Sequence, residues 1–295
     1  MPNYTRDYLT ERHDDYESKF QDWNFHLLSY LGGQDYQNGY LLNRYVLESD
    51  EEYIKRMNNT AIDNHCKNVV QIYSSFLFRV PPTRNYGSLS GDEQLENFLK
   101  DADLDGRSFD NIIREMQINA SIYGTCWAIM DKPAIQTETR AEEIQLDIRP
   151  YISVYTPENV LNWKYQRMIN GRYELTELTL LENLQNDVAT LRVWTKEDIT
   201  TLMVKEFNKG YSTSQPILID EMPNMINEIP AVVLYNQKSQ KRAIGISDLQ
   251  DVAELQKSIY NDYSEIEQLI RLSNHPSLVK TPNVEASAGA GSIIE

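Results

Sequence analysis

The spacing of the apolar residues changes twice along this chain, and that change limits the folds open to it. Up to about residue 124 the period is helical. From about 144 to 235 it alternates, as in half-buried strands, and from Ser247 it is helical again. Blocks of helix flanking a block of antiparallel strands predict an α+β architecture. The 295 residues suffice for one large domain or two ordinary ones.

Punctuation supports the helical blocks. Gly32-Gly33 and Gly39 interrupt an aromatic-rich stretch (Trp23, Phe25, Tyr30, Tyr36, Tyr40), which predicts two short helices. Ser49-Asp50-Glu51-Glu52 has capping-box spacing, with a carboxylate three residues after the hydroxyl. Ile54, Met57 and Ala61, then Val69, Ile72 and Phe76 eight residues further on, step by three and four within each set, which predicts one apolar helix face, and Pro81-Pro82 stops it. A short helix is expected over Asp92–Leu99. Ser108 caps another, Gly124 ends it, and Thr125–Met130 reads as a buried strand.

In the alternating region the expected strands are Ile144–Arg149, Tyr151–Tyr155, Leu161–Tyr165, Arg172–Leu181, Ala189–Trp194, Ile199–Phe207 and Ala231–Tyr235. Thr156–Asn159, Asn170-Gly171, Asn183–Asp187 and Lys209-Gly210 are the turns between them, with Asn170-Gly171 a two-residue hairpin signal. Glu142-Glu143 reads as part of a solvated loop.

The longest helix is expected from Ser247-Asp248 to about Leu272, with Asn274-His275-Pro276 ending it. It carries two stripes. Val252, Leu255, Ile259, Tyr263, Ile266 and Ile270 form an apolar one. Asp251, Glu254, Asp262 and Glu265 fall within about one quarter of the circumference at roughly 100° per residue. On periodicity alone the acidic stripe is better explained as a solvated surface face.

Chemistry-bearing motifs do not emerge. No Gly-Lys dipeptide occurs, so a P-loop is excluded, and the one Gly-x-Gly, Gly289 and Gly291, lies in a small-residue tail. His-Glu-x-x-His and Gly-x-Ser-x-Gly are absent; Gly87-Ser88-Leu89-Ser90-Gly91 has Leu89 where a nucleophile would stand. His65 and Cys66 are neighbours, but adjacent helical residues point about 100° apart, so ordinary packing is the expectation over metal binding. No catalytic residue, cofactor or metal is expected. A carboxylate-metal enzyme is the rival chemistry, because separation in space cannot be read from one sequence.

Composition sets further bounds. The formal net charge is −16, which excludes a protein that grips nucleic acid over its whole surface, since that affinity comes from Lys and Arg. Nineteen tyrosines suit surfaces partly buried against partners, and equally the edges of a core. Two cysteines without a C-x-x-C pattern point to a reducing compartment. A polar N-terminus and no run of ~20 apolar residues imply neither a secretory signal nor a membrane span.

Three segments resemble tailed-bacteriophage portal proteins. The first runs from Leu41-Leu42-Asn43-Arg44-Tyr45 to Arg79-Val80-Pro81-Pro82. The second is Ile152-Ser153-Val154-Tyr155-Thr156-Pro157-Glu158-Asn159-Val160. The third and most specific is Ile229-Pro230-Ala231-Val232-Val233-Leu234-Tyr235-Asn236, followed by Gly245-Ile246-Ser247-Asp248-Leu249 and Ile259-Tyr260-Asn261. The match is one of order and spacing from about 40 to 282. It implies a helical N-terminal wing region over 1–130, a β-rich wing region over 131–243, a stem helix over 244–274 and the start of a clip over 275–295. A second stem helix, tunnel loop and crown, which portals usually have, are not within these residues.

The resemblance also implies a function. The chain would be a structural subunit, not an enzyme, in a homo-oligomeric ring, dodecameric in the family. The ring would stand at the portal vertex of the virion after assembly in the host cytoplasm. It would dock the packaging motor (terminase), a neck or adaptor protein and the major capsid protein. Double-stranded DNA would pass through it without sequence-specific binding. Asp251, Glu254, Asp262 and Glu265 would line the channel, and Val252, Leu255, Ile259, Tyr263, Ile266 and Ile270 would pack subunits together. Another neck or capsid component is the nearest alternative.

Overall fold

A computed structural model of the chain describes residues 12–133, 139–205, 207–208, 211–212 and 215–274. The expected Lys209-Gly210 turn, the stop at His275-Pro276 and the clip start over 275–295 lie outside these residues. In chain order the helices are α1 (Asp14–Leu31), α2 (Gly33–Asn38), α3 (Asp50–Asn59), α4 (His65–Leu77), α5 (Glu93–Lys100) and α6 (Phe109–Tyr123). After β1 (Thr125–Asp131) come α7 (Arg140–Gln145), β2 (Tyr151–Tyr155), β3 (Val160–Arg167), β4 (Tyr173–Gln185), β5 (Val188–Thr195) and β6 (Asp198–Val204). The short strands β7 (Phe207–Asn208) and β8 (Tyr211–Ser212) precede β9 (Ile217–Pro223), β10 (Ala231–Tyr235), β11 (Gln237–Lys238) and β12 (Gly245–Ile246). The long helix α8 (Gln250–Asn274) follows. Helices and antiparallel sheets together make an α+β protein, as expected.

The chain divides into two compact units. The first comprises Met1–Leu27 with Asn68–Gln250, and the second Leu28–Lys67 with Asp251–Glu295. In the first unit β1 is the centre of a three-stranded sheet, β10-β1-β2, on which α6 packs. Ala102, Ile112, Met116, Ala120, Cys126 and Ile152 form that core. A five-stranded antiparallel sheet, β3-β4-β5-β6-β9, buries Leu178, Leu180, Leu191, Val193 and Leu202. The two sheets are tied by ions: Arg192 on β5 pairs with Asp131 on β1 and, at 2.8 Å, with Glu182 on β4. Burial raises the Glu182 carboxyl above its ordinary value, and the Arg192 charge opposes that shift.

Local signals act as their chemistry dictates. Ser108 Oγ accepts from the Asn111 amide, and Asp92 caps α5 in the same way. Gly124 ends α6 in the left-handed conformation, φ 88°, donating its amide to Ala120 O. A Cβ there would sit 2.6 Å from the Gly245 carbonyl oxygen, so this position requires glycine twice over. The β4–β5 hairpin turns on Asn186-Asp187, both left-handed (φ 49° and 61°), a two-residue turn whose twist matches the strands. Asn170-Gly171 also makes a hairpin, but with three loop residues: Met168 N donates to Arg172 O, and Gly171 takes φ 81°.

Some expectations fail locally. The strand expected at Ile144–Arg149 is instead the end of α7 and a turn through Asp147, φ 51°. Thr139 Oγ1 accepts from the Glu142 amide, so Glu142 and Glu143 sit in a first helical turn, where the helix dipole favours them. The single apolar face expected from Ile54 to Phe76 is two helices separated by residues 60–64. In α4 the buried positions are Cys66, Val70 and Ser74, one residue out of phase with Val69, Ile72 and Phe76. β9 was not anticipated, because Asp220-Glu221 break its apolar run and it lies at the sheet edge.

Gly124→Ala is expected to lower stability by about 2 kcal/mol or more, from backbone strain and the clash together. Gly171→Ala meets only open space beyond the Arg167 guanidinium and should cost roughly 1 kcal/mol. Urea unfolding midpoints of the two variants measure the difference.

Candidate functional site

The second unit is organised by α8. Tyr260 lies in its core with Tyr36, Leu42, Tyr53 and Met57. The Tyr260 and Tyr36 rings meet edge to face, centroids 5.3 Å apart. Burial pushes the Tyr260 phenol up to about 12. Its neighbour Asn261 accepts from the Asn43 amide at 2.7 Å. The Tyr-Asn pair noticed in the sequence therefore anchors the segment around residue 43 to the helix.

The face of α8 that packs on its own unit is Ala253, Gln256, Tyr260 and Ser264, all buried. Apart from the Tyr260 ring it is made of small or polar side chains, and hydrogen bonds satisfy the polar ones. Gln256 donates to Ser29 O at 2.9 Å and accepts from the Cys66 amide at 3.0 Å. Ser264 Oγ accepts from the Arg56 guanidinium at 2.8 Å.

Arg56 is the centre of a buried network. Its side chain is 3% exposed and makes a two-pronged pair with Glu48, 6% exposed, with both N–O distances 2.7 Å. A third donor reaches Asn43 O at 2.6 Å, and the guanidinium stacks 4.1 Å over the Tyr45 ring. The hydrogen bond from Arg56 holds the Glu48 carboxyl below its ordinary value, against the opposing effect of burial. Tyr45 OH donates to Glu265 Oε1 at 2.7 Å. Ser49 and Glu52 form the capping box anticipated for α3, which fixes the other end of this segment.

The expected site residues fall on the two remaining faces of α8. Asp251, Glu254, Asp262 and Glu265 are all exposed. At about 100° per residue they centre roughly 155° from the packed face. Leu255, Tyr263, Ile266 and Ile270 are exposed, and Val252 and Ile259 are half-buried. These six centre roughly 105° from the packed face on the other side. The helix is thus three-sided: polar toward its own unit, apolar on one flank, acidic on the far side. Arg56, Glu48, Gln256 and Ser264 were not singled out from the sequence, and Tyr45 entered only as part of the Leu41–Tyr45 resemblance. The only signal was their polarity at positions that periodicity leaves unassigned.

Cys66 and Cys126 are buried free thiols, each pushed up to about 12 by burial. His65 is exposed while Cys66 faces the core, so they share no site. Among the described residues no three His, Cys, Asp or Glu side chains gather where a metal ion could sit, and no helix is long and apolar enough to cross a membrane. The Ser-Asp-Leu segment ahead of α8 has a positional role: Ser247 Oγ donates to the carbonyls of Ser121 or Ile122, and Asp248 accepts from Ser121 Oγ and Asn236. That ties residues 247–248 to the C-terminus of α6.

A family model described as phage portal protein, SPP1 Gp6-like, matches residues 5–287. The chain belongs to the phage portal protein family. No curated protein matches it. Portal proteins are structural components of phage virions, and the network around Arg56 in this portal protein is accordingly read as architecture.

Arg56→Met should lower stability by about 3 kcal/mol, because it leaves Glu48 buried without its partner. The pair also sets an acid limit. Glu48 is depressed in the folded state, so its contribution is fully present above the ordinary value of 4.5 and is lost as pH falls through the folded value. Denaturant midpoints recorded down a pH series should show this loss in the parent and its absence in Arg56→Met.

Proposed function

We propose that this portal protein is the repeating subunit of a dodecameric ring at one capsid vertex. The ring would be the channel through which the genome enters and leaves, docking the packaging motor, the neck protein and the capsid. In this reading residues 1–130 and 131–243 are the wing, 244–274 the stem segment with α8 (Gln250–Asn274) as its first helix, and 275–295 the start of the clip.

The observation that carries the reading is the three-sided α8. A helix in a ring wall must be held by its own subunit, meet its neighbours and face the pore. The polar packed face serves the first need. Val252, Leu255, Ile259, Tyr263, Ile266 and Ile270 serve the second, since apolar area left exposed by one chain is stabilised when another covers it. Asp251, Glu254, Asp262 and Glu265 serve the third. Carboxylates repel DNA phosphates, and at physiological salt the repulsion reaches only about 8 Å, so it acts on DNA inside a narrow pore.

Negative-stain images of the purified protein should show rings with a central hole, and a uniform population of single globules would sink the reading. Charge reversal tests the lining. Asp251→Lys, Glu254→Lys and Asp262→Lys together should leave ring assembly intact but make the rings retain linear duplex DNA at low salt. That retention should fall steeply as salt rises. Unchanged DNA behaviour in assembled rings would place the acidic stripe away from the pore.

A further inference from the structure

Residues 45–48 form a tight turn in which the Glu48 amide donates to Tyr45 O at 3.2 Å. The two central positions of the turn are Val46 and Leu47, which are 99% and 97% exposed. Such positions ordinarily carry Gly, Pro, Asn, Asp or Ser. Two aliphatic side chains held wholly in water, next to each other, need a reason. Looseness is not that reason, because the turn is among the most tightly held pieces of its unit. The Arg56 guanidinium grips Glu48 and stacks on Tyr45, Glu48 accepts from the Tyr45 amide, and Arg44 donates to Glu48 O. The turn is a rigid apolar knob.

Its place around α8 follows from the hydrogen bonds that hold it. Asn43 is bonded to Asn261, and Tyr45 to Glu265. Leu47 lines the same shallow cleft as Gln268 and Arg271. The knob therefore stands on the flank of the helix marked by Asn261 and Glu265. The exposed apolar stripe lies roughly 140° around the helix from that flank. Asp251 and Asp262 lie between the two, on the side away from the packed face, while Glu254 and Glu265 stand on the knob's own flank. A unit with an apolar knob on one flank and an apolar stripe on the opposite flank can join head to tail, and a head-to-tail contact that closes makes a ring.

We propose that Val46 and Leu47 of one subunit dock onto the Leu255–Ile259–Ile266 surface of α8 in the next. The inference rests on the ring reading above and names the contact that builds the ring. It commits to a second copy of this chain as occupant because both halves of the contact are exposed on one unit, on flanks of α8 roughly 140° apart. It also bears on the acidic stripe: with both flanks covered by neighbours, the side of the helix carrying Asp251 and Asp262 is the part left uncovered.

Cysteine cross-linking of the full chain tests the contact, since Val46 and Leu47 are exposed and the native thiols of Cys66 and Cys126 are buried. The double variants Leu47→Cys with Leu255→Cys, and Leu47→Cys with Ile266→Cys, are oxidised as assembled protein and run without reductant. A ladder of dimer, trimer and higher species is expected in at least one of them, with most of the monomer band consumed. Leu47→Cys alone should give no dimer. A dimer from that single variant would mean a two-fold contact and overturn the proposal. Monomer only, in double variants that still form rings by electron microscopy, would overturn it while leaving the ring reading intact. Parent protein that forms no rings at all would bring down both.

Discussion

Arg56 is a full charge with almost no water around it, and the second unit is built to keep it paired. Moving such an ion out of water costs several kcal/mol, and only a complete set of partners offsets that. Glu48 supplies two oxygens, Asn43 a carbonyl, Ser264 a hydroxyl and Tyr45 a ring face. These partners come from the segment before α3 and from α8, while Arg56 itself sits on α3. One side chain thus binds three pieces of chain. If any piece shifts, a buried charge is left short of a partner, so the turn at Tyr45–Glu48 and the faces of α8 are held in fixed register.

That constraint explains an inversion in the helix. Its buried face is Ala253, Gln256, Tyr260 and Ser264, and its most apolar face is in solvent. In a protein that works alone this would waste hydrophobic stabilisation and invite aggregation. In a subunit of an assembly it is the useful arrangement: directional hydrogen bonds hold the helix to its own unit and leave the greasy stripe for a neighbour. A net charge of −16 slows indiscriminate association of such exposed surface by mutual repulsion.

Much of the local structure was legible in the sequence. The capping box at Ser49–Glu52, the cap at Ser108 and the stop at Gly124 all depend on neighbours within a few residues, and they form as their chemistry requires. The misses had different causes. Ile144, Leu146 and Ile148 alternate as a strand would, yet Thr139 caps a helix that runs to Gln145. β9 carries acids in mid-strand because an edge strand buries little. The face of α4 was assigned one residue out of phase because Cys66 and Ser74, not its larger apolar residues, meet the core.

The α+β class, the approximate length of α8 and the existence of its apolar and acidic stripes were settled by the sequence alone, because periodicity is a property of the chain about its own local axis. Which side of α8 meets its own unit was decided only by tertiary structure. That choice was made by bonds between residues about two hundred positions apart, Arg56 to Ser264 and Gln256 to Ser29. No local pattern encodes such partners. Hydrogen bonding can bury a polar face as firmly as the hydrophobic effect buries an apolar one, so polarity by itself could not say which face would be left outside.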